Sequence, residues 1–299
     1  MPIIIPKDIP AYEVLTKENI FVMGSTRASA QDIRPLEIAI VNLMPTKVET
    51  ETQLMRMLSN SPLQVNVTLI KTASYNATNV SEDHMTRFYK VFDEVKDFKF
   101  DGMIVTGAPV ETMDFTDVKY WEELCAIMDY ADKSVTSAVF ICWGAQAALN
   151  YYYGIDKIEL KEKVSGVFDN HVLVPNEPLL RGLNDTFRVP HSRYTVIDEE
   201  KLKQDKRLVA LATGEECGLS IAKSADDKKF FFFGHSEYDR DTLKREYMRD
   251  KAKGMNIAPP KNYFKEGGEE VDMSWRSTGT LLYNNWLNYY VYQVTPYEL

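Results

Sequence analysis

Apolar runs of strand length alternate with helix-compatible segments throughout the first half of the chain. The runs span residues 36–43, 63–70, 101–106 and 138–141, and they are mainly apolar. Strands that are buried on both faces of a sheet have this composition. Repeated strand–helix–strand units form a mostly parallel sheet that carries helices on both faces. We therefore predict an α/β fold of this type.

The segments between these strands have the periodicity of helices. A helical pattern follows Lys47, and a second helix is predicted from a capping Ser81 to Val95. An amphipathic pattern covers residues 117–131, and a further short helix stops near Gly154. Helices in these places provide the crossover connections that neighbouring parallel strands need.

The second half of the chain is less regular. Two segments joined by a polar turn, residues 218–223 and 229–234, have the pattern of a β-hairpin. A charged helix is predicted from about Thr242 to Lys253. The other predicted elements are short strands or extended loops at 165–174 and 187–197, and an aromatic-rich C-terminal helix at 281–291.

The chain has no internal repeat, low-complexity tract or clear interdomain linker, so we treat residues 1–299 as one domain. Residues 1–35 lack periodicity and are predicted to form an N-terminal arm with little core of its own. Residues 36–237 form the predicted α/β core, and residues 238–299 form a C-terminal helical extension. The C-terminal helix is expected to pack on the body of the protein or on a partner subunit.

The charge and the cysteine content exclude several classes of function. The chain of 299 residues has a net charge of -9 and no basic block, so we expect no nucleic-acid partner. Its three cysteines are widely spaced and its histidines form no ligand-like pair, so we predict neither a disulfide framework nor a metal site. We recognise no secretory signal, and no apolar run approaches the ~20 residues of a membrane span. The simplest expected location is cytoplasmic.

The predicted strand at 138–141 ends at a cysteine. A helix-compatible segment begins at Gly144, so Cys142 lies on a sharp strand-to-helix turn. This turn holds the sulfur above the sheet edge, where the free N–H groups of a helix start favour a thiolate. Free cysteines are often simply buried, and that is our interpretation of Cys125 and Cys217. The turn makes Cys142 the candidate nucleophile.

A candidate base follows the second strand of the predicted hairpin. His235 comes directly after residues 229–234, and a nucleophilic cysteine is usually activated by a histidine. Glu237 lies two residues further on, and it shares the same face if the strand continues. A carboxylate there would hold the far ring nitrogen of the histidine, as in a catalytic triad. The alternative is that His235 is only a buried or solvent-facing hairpin end.

Three chemically useful side chains follow three different predicted strands. Lys47, Glu111 and Cys142 each lie just past a strand end. Ligands of open α/β sheets bind beyond the carboxyl ends of the strands. We therefore expect the three residues to cluster at one edge of the sheet, although Lys47 is equally compatible with an ordinary surface lysine.

The order Cys142-x-Gly144-x-Gln146 followed by His235-x-Glu237 is similar to the Cys-His-Glu pattern of class I glutamine amidotransferases. The chain resembles even more closely the homoserine O-acyltransferases of methionine biosynthesis, the MetA type. The resemblance covers nearly the whole chain, and its motifs lie at residues 42–47, 106–111, 141–146, 190–193, 234–238 and 285–290. It implies a flavodoxin-like, class I glutamine amidotransferase-like fold that often forms a homodimer.

The resemblance implies a ping-pong acyl transfer. Cys142 would attack the thioester of an acyl-CoA, His235 would take the thiol proton and later activate the γ-hydroxyl of homoserine, and Glu237 would orient His235. The backbone N–H of Trp143 would bind the oxyanion, since it lies one residue past the nucleophile. Lys47 would add a positive charge beside that oxyanion or the thioester.

The resemblance also assigns contacts to the acceptor. Arg249 would pair with the α-carboxylate of L-homoserine, and Lys163 and Ser192 would complete the pocket. The residues alone indicate something simpler, because each of the three is typical of a solvated surface position. The choice between homoserine and a close relative such as serine depends on the geometry around Ser192.

Glu111 is the residue that the resemblance connects with the acyl group. A glycine at this loop position goes with succinyl-CoA in the family, and a glutamate goes with acetyl-CoA. A glutamate carboxylate would repel the terminal carboxylate of a succinyl group and fill its space. We therefore expect acetyl-CoA as co-substrate and no bound cofactor, unless Glu111 points to solvent.

Three other functions stay open at this point. The same fold is compatible with a succinyltransferase that uses succinyl-CoA. It is also compatible with a glutamine-hydrolysing amidotransferase, although no synthase partner is fused to the chain. The third alternative is a binding or regulatory protein in which the cysteine is chemically silent.

Overall fold

The strands form one mixed sheet. The computed structural model describes residues 3–31, 33–74 and 80–296. Within these residues the strands are β1 (Ile3–Ile4), β2 (Val22–Met23), β3 (Leu36–Val41), β4 (Val65–Lys71), β5 (Tyr89–Val91), β6 (Gly102–Val105), β7 (Ser137–Ile141), β8 (Lys157–Val172), β9 (Thr186–Ile197), β10 (Leu208–Gly214), β11 (Gly218–Ser224) and β12 (Lys229–Phe232). Their order across the sheet is β2-β1-β4-β3-β6-β7-β12-β11-β10-β8-β9, and β5 pairs with β4 beside this path.

Helices connect the strands and cover the sheet. They are α1 (Pro10–Lys17), α2 (Ser25–Ala28), α3 (Lys47–Leu58), α4 (Glu82–Phe88), α5 (Trp121–Ser134), α6 (Trp143–Tyr153), α7 (Glu199–Gln204), α8 (Thr242–Ala252) and α9 (Arg276–Asn285). Short 3-10 turns occur at Phe92–Glu94, Phe115–Asp117 and Pro178–Leu180, and a π-helix covers Trp286–Tyr292. In the part of the chain that the structure describes, every helix is too short or too polar to cross a membrane.

The two halves of the sheet differ in strand direction. Neighbouring strands from β2 to β12 are parallel, and Ile141 of β7 lies opposite Phe232 of β12. The pairs from β12 to β9 are antiparallel, and they begin with the predicted hairpin of β11 and β12. All four strands predicted from the first half of the sequence belong to the parallel half. The expected α/β class, a mostly parallel sheet, is confirmed.

Alternate side chains of the central strands fill two separate cores. Ile38 and Ile40 of β3 pack on one face of the sheet with residues of α3 and α9. Ala39 and Val41 pack on the other face with residues of α5 and α6. This arrangement explains the mainly apolar composition of the strand, because every second residue of a strand faces the opposite core.

The N-terminal segment differs from the expected arm with little core. Ile3, Ile9 and Leu15 are fully or almost fully buried in the core that also contains α3. The two-residue strands β1 and β2 extend the sheet beyond β4. Sequence periodicity does not reveal strands of two residues, and their burial depends on an edge that another segment supplies.

Several boundaries differ from the predicted ones. The helix capped by Ser81 ends at Phe88, because the next residues pair with β4 as strand β5 instead of continuing to Val95. The segment predicted at 117–131 starts as a 3-10 turn, and its helix is Trp121–Ser134. In the second half, β8 and β9 form a longer antiparallel pair than predicted, and β10 and α7 were not predicted.

The C-terminal helices pack on the body of the protein. Trp286 is fully buried, and its indole N–H donates to Ser137 Oγ at 2.9 Å. A Cβ atom at Gly102 of β6 would lie 2.9 Å from the Trp286 ring, so the missing side chain of the glycine makes room for it. The C-terminal segment therefore covers the middle of the parallel half of the sheet.

This packing predicts the effect of removing the indole ring. We expect Trp286→Ala to lower the free energy of unfolding by about 3–5 kcal/mol, because the ring leaves a cavity against β6 and Ser137 loses its donor. Denaturant unfolding followed by circular dichroism measures this change. Val294→Ala is the control, since Val294 is 54% exposed and should change stability by less than ~0.5 kcal/mol. Similar losses in the two variants would contradict the packing argument.

Candidate active site

The turn at Cys142 has a strained backbone that joins β7 directly to α6. Cys142 has φ 50° and ψ -115°, a conformation that residues other than glycine rarely adopt. Its N–H donates to Phe232 O at 2.7 Å, and its carbonyl accepts from Gln146 N at 3.1 Å. The predicted strand-to-helix turn is thus present, and hydrogen bonds to β12 and to α6 hold its geometry.

Gly144 allows α6 to begin this close to the sheet. A Cβ atom at Gly144 would lie 2.6 Å from Thr106 O and 3.0 Å from Val105 O, so any side chain there would displace the backbone of the turn or of its neighbour. The N–H of Trp143 belongs to the first turn of α6, where an N–H has no acceptor within the helix. The turn therefore presents a sulfur and a free helix N-terminus side by side.

His235 and Glu237 form a buried pair behind the cysteine. His235 Nδ1 lies 2.7 Å from Glu237 Oε1, and both side chains are almost fully buried. The ring of Tyr238 stacks on the imidazole with a centroid separation of 4.2 Å. The backbone N–H of His235 donates to Pro190 O at 2.7 Å and ties this segment to β9. With Nδ1 engaged by the carboxylate, the other nitrogen, Nε2, is available for proton exchange.

The charge around His235 favours its protonated form. Burial lowers the pKa of the imidazole, but the charges of Cys142 and Glu237 and its hydrogen bonds to them outweigh burial. The net result is a pKa of His235 well above its ordinary value. A protonated imidazole beside a cysteine is the charge pattern of an activated thiol.

A cleft of about 720 Å³ opens above these residues, at the carboxyl edge of the parallel strands. Cys142, His235 and Glu111 line it. Further walls come from the segment before α3, from β8 and β9, and from α8. The expected clustering of Glu111 and Cys142 at one sheet edge is therefore observed.

Lys47 also follows the end of a parallel strand, β3, and lies in sequence between Thr46 and Glu49, which line the cleft. It is not among the described residues that line the cleft, its side chain is buried, and its ammonium donates to Asn42 O. The ammonium also lies 5.7 Å from the Tyr89 ring centroid, and burial lowers the pKa of Lys47 to about 8. Because Lys47 is the first residue of α3, its side chain folds back onto the strand end that precedes the helix. The burial of Lys47 rules out an ordinary surface lysine, and its role beside the oxyanion or the thioester stays a prediction.

The three residues expected to contact the acceptor all line the cleft. Lys163 Nζ lies 2.9 Å from Asp250 Oδ2, and Arg249 Nη2 lies 2.7 Å from Asp250 Oδ1. Ser192 Oγ donates to Glu246 Oε2 at 2.6 Å. Lys163 lies within β8 and Ser192 within β9, and both bond carboxylates of α8, which brings the three elements together.

Sequence reasoning missed the acidic partners of this group. Glu246 and Asp250 lie one helical turn apart on α8, and Asp250 is almost fully buried. The many charges of Lys244–Lys253 predicted a solvated helix face. In the structure, this helix also carries the buried carboxylate of Asp250, which bonds Lys163 and Arg249. The spacing of residues 246 and 250 was the available signal, since side chains four apart share a helix face.

A buried arginine supports the floor of the site. Arg193 of β9 is only 2% exposed, and its guanidinium donates to Phe233 O at 3.2 Å and to Cys217 O. Phe233 is two residues before His235, so the arginine braces the segment that carries the histidine. The neighbouring His191 is fully buried, and burial holds the pKa of its ring well below the ordinary value.

The carboxylate of Glu111 is held at the cleft wall by β9. Its Oε2 accepts hydrogen bonds from Tyr194 N at 2.9 Å and from Thr195 Oγ1 at 3.3 Å. Burial raises the pKa of Glu111, although these two hydrogen bonds and the charges of Lys163 and His235 oppose the rise. Glu111 therefore faces the cleft, and the alternative in which it points to solvent does not hold.

The other cysteines lack this environment. Burial is the main cause that raises the pKa of both Cys125 and Cys217 to about 11. All three cysteines are free thiols. Among the described residues, no group of His, Cys, Asp and Glu side chains is arranged to hold a metal ion.

Solved structures define the class of fold. A glutamine amidotransferase from Thermotoga maritima matches 85% of this chain and 97% of its own, with a TM-score of 0.55 and 13% identity. A glutamine amidotransferase from Methylobacillus flagellatus matches 86% of this chain and 95% of its own, with a TM-score of 0.53 and 15% identity. The protein has a class I glutamine amidotransferase-like fold, and at these identities the likeness concerns the fold alone.

Sequence relatives define the family. The model of the homoserine O-succinyltransferase family matches residues 2–297. A relative described as homoserine O-acetyltransferase from Clostridium acetobutylicum is 54% identical over 301 residues, covering all of both chains. A relative of the same description from Shouchella clausii is 53% identical over 301 residues, covering 100% of this chain and 97% of its own. The chain belongs to the homoserine O-succinyltransferase family and is an acyltransferase.

The site geometry predicts selective alkylation of one cysteine. At neutral pH we expect iodoacetamide to modify Cys142 at least about a hundredfold faster than Cys125 or Cys217, because the thiolate is the reactive form. Peptide mass spectrometry over a time course measures the three rates. His235→Ala should remove most of the advantage, whereas His171→Ala, at an exposed histidine of β8, should not change it. Equal rates at the three cysteines would mean that Cys142 is silent.

Proposed function

We propose that the protein is a homoserine O-acetyltransferase, which moves an acetyl group from acetyl-CoA to the γ-hydroxyl of L-homoserine. The observation that carries the proposal is that Cys142, its hydrogen-bond partner His235 and Glu111 line one cleft. Relatives more than half identical over their whole length have this description, which supports the same assignment.

The first half of the reaction would acylate the cysteine. Cys142 Sγ attacks the thioester carbonyl, and the N–H of Trp143 binds the oxyanion of the tetrahedral intermediate. When this intermediate collapses, the carbon–sulfur bond to CoA breaks. The leaving thiolate of CoA takes the proton that His235 received from Cys142, and Glu237 holds the imidazole through Nδ1.

The second half would transfer the acetyl group to the acceptor. An acylated cysteine carries no charge, so it no longer raises the pKa of His235, and the imidazole becomes a better base. His235 then takes the proton of the γ-hydroxyl of homoserine while the hydroxyl oxygen attacks the acyl carbon. The collapse of this second intermediate frees Cys142, which regains the proton. His235 thus acts in both acyl-transfer steps because acylation removes the charge of Cys142.

The cleft presents both signs of charge to the zwitterionic acceptor. Arg249 and Lys163 are suited to the α-carboxylate of homoserine, and Glu246 and Asp250 are suited to its α-amine. In the present arrangement these groups neutralise one another, so an acceptor replaces internal pairs with equivalent ones. Ser192 joins this group of charges through its hydrogen bond to Glu246.

The acetyl donor is preferred in this proposal because of the place of Glu111. Its carboxylate lies at the wall of the cleft that contains Cys142, and its orientation is fixed by two hydrogen bonds. A succinyl group on the cysteine would bring a second carboxylate to the same wall, where like charges repel. The family description names a succinyltransferase, so succinyl transfer is the alternative that the donor test must decide.

We extend the proposal to the organisation of the whole chain. One sheet contains strands from β1 near residue 3 to β9 at residue 197, which supports a single acyltransferase domain over residues 1–299. Within it, the α/β core comprises residues 36–237 together with the N-terminal strands β1 and β2, and residues 238–299 form a C-terminal extension. A homodimer and a cytoplasmic location remain predictions from the resemblance.

The donor test follows from the proposed covalent intermediate. Offered acetyl-CoA without homoserine, the purified protein should gain one acetyl group on Cys142, whereas succinyl-CoA should give little or no adduct. Intact-protein and peptide mass spectrometry identify the adduct and its position. Cys142→Ala is the control for chemical acylation elsewhere. Succinylation of Cys142 at an equal or higher rate would contradict acetyl specificity, and the absence of both adducts would contradict the acyl-enzyme.

A second prediction concerns the acyl pocket. Glu111→Gly should raise kcat/KM for succinyl-CoA by about tenfold or more, because it removes a repulsive charge and opens space. Glu111→Gln keeps the volume and removes only the charge, so it separates the two effects. Steady-state assays with both donors measure the changes. No gain in either variant would show that Glu111 does not determine the donor.

A further inference from the structure

The carboxylate of Glu111 is positioned through one of its two oxygens. Both hydrogen bonds described above reach Oε2, and they come from two consecutive residues of β9, Tyr194 and Thr195. The backbone of the same residue is also held, because Lys157 Nζ donates to Glu111 O at 2.5 Å. The side chain and the main chain of Glu111 therefore have separate anchors.

Thr195 is itself oriented by a buried glutamine. Gln146 Nε2 donates to Thr195 O at 3.2 Å, which directs the amide oxygen of Gln146 toward the Thr195 hydroxyl at 2.9 Å. Thr195 and Gln146 are each about 1% exposed. A hydroxyl has a single proton, so Gln146 Oε1 at 2.9 Å and Glu111 Oε2 at 3.3 Å are alternative acceptors for the proton of Thr195.

The glutamine links this arrangement to the nucleophile. Gln146 lies in the first turn of α6, and its N–H donates to Cys142 O at 3.1 Å. The contacts therefore run from Cys142 through Gln146 and Thr195 to the carboxylate of Glu111. Each link is a hydrogen bond between buried or partly buried groups, where such bonds are costly to break.

We propose that Thr195, whose main chain is held by Gln146, is a specificity-determining positioning residue: its hydroxyl keeps the Glu111 carboxylate in place against acyl groups that end in a carboxylate. This inference rests on the proposed acetyl transfer and goes beyond it. It assigns the discrimination to the Gln146–Thr195–Glu111 relay, of which Glu111 alone faces the cleft.

The balance of forces on Glu111 supports this role. Burial favours the neutral carboxyl, and the opposing effects are the Tyr194 amide, the Thr195 hydroxyl and the charges of Lys163 and His235. Without the Thr195 hydroxyl, the carboxylate keeps one hydrogen bond to Oε2. It is then freer to turn and easier to neutralise, and both changes weaken its repulsion of an anionic acyl group.

The test is the isosteric variant Thr195→Val in the full-length enzyme. With homoserine as acceptor, the ratio of kcat/KM for acetyl-CoA to kcat/KM for succinyl-CoA should fall by about tenfold, as expected for a lost hydrogen bond to a charged group. Thr195→Ser keeps the hydroxyl and should stay within about threefold of the wild-type ratio. Thr195→Ala tests the same loss with a smaller side chain if valine does not fit. An unchanged ratio in folded Thr195→Val or Thr195→Ala would overturn the proposal.

A double-mutant cycle separates positioning from general damage. In the Glu111→Gly background, Thr195→Val should leave the donor ratio unchanged, because the carboxylate that it positions is absent. An equal fall in both backgrounds would overturn the proposal, since Thr195 would then act without Glu111.

The failure of the underlying function has a different signature. A wild-type enzyme that prefers succinyl-CoA would overturn both the proposed function and this inference. A wild-type enzyme that strongly prefers acetyl-CoA, with no change in the Thr195 variants, would overturn this inference alone.

Discussion

The whole site depends on the strained turn at Cys142. The strain is held by the Cys142 N–H bond to Phe232 O on the neighbouring parallel strand, and by the first turn of α6 on the other side. Gly144 permits this turn, because any side chain there would meet the carbonyl oxygens of Thr106 and Val105. The parallel register of β7 and β12 then brings the segment after β12, with His235, next to the cysteine. The nucleophile and its base thus share one backbone constraint.

The charges around the turn are organised in two layers. Below the cleft, buried groups are satisfied by the backbone: Lys47 bonds Asn42 O and Arg193 bonds Phe233 O. At the cleft wall, cations and carboxylates from β8, β9 and α8 pair with one another. The lower layer supports the backbone of the site, and the upper layer can exchange its partners for those of a zwitterionic ligand.

Much of the fold could be predicted because the central strands alternate between two apolar cores. Ile38 and Ala39 show why a mainly apolar run identifies a strand with helices on both sides. The antiparallel half was harder to predict, since exposed, half-buried and buried residues follow one another along β8 without a clear period. Within the site, Cys142, His235 and Glu237 could be found from strand ends and spacing. Asp250 and Thr195 could not, because their roles depend on partners that are distant in sequence.

The sequence by itself determined the parallel core, the turn at Cys142 and, through whole-chain motifs, the acyltransferase family. These features are local, since they depend on periodicity, on the order of elements and on residue types at a turn. The tertiary structure alone decided where each charge lies. It buried Lys47 beneath the strand end, joined Lys163 and Arg249 through Asp250, and turned Glu111 toward the cleft. The physical reason is that burial and hydrogen-bond partners fix the position of an ionisable side chain. Both come from elements that are distant in sequence and pack together only in the folded chain.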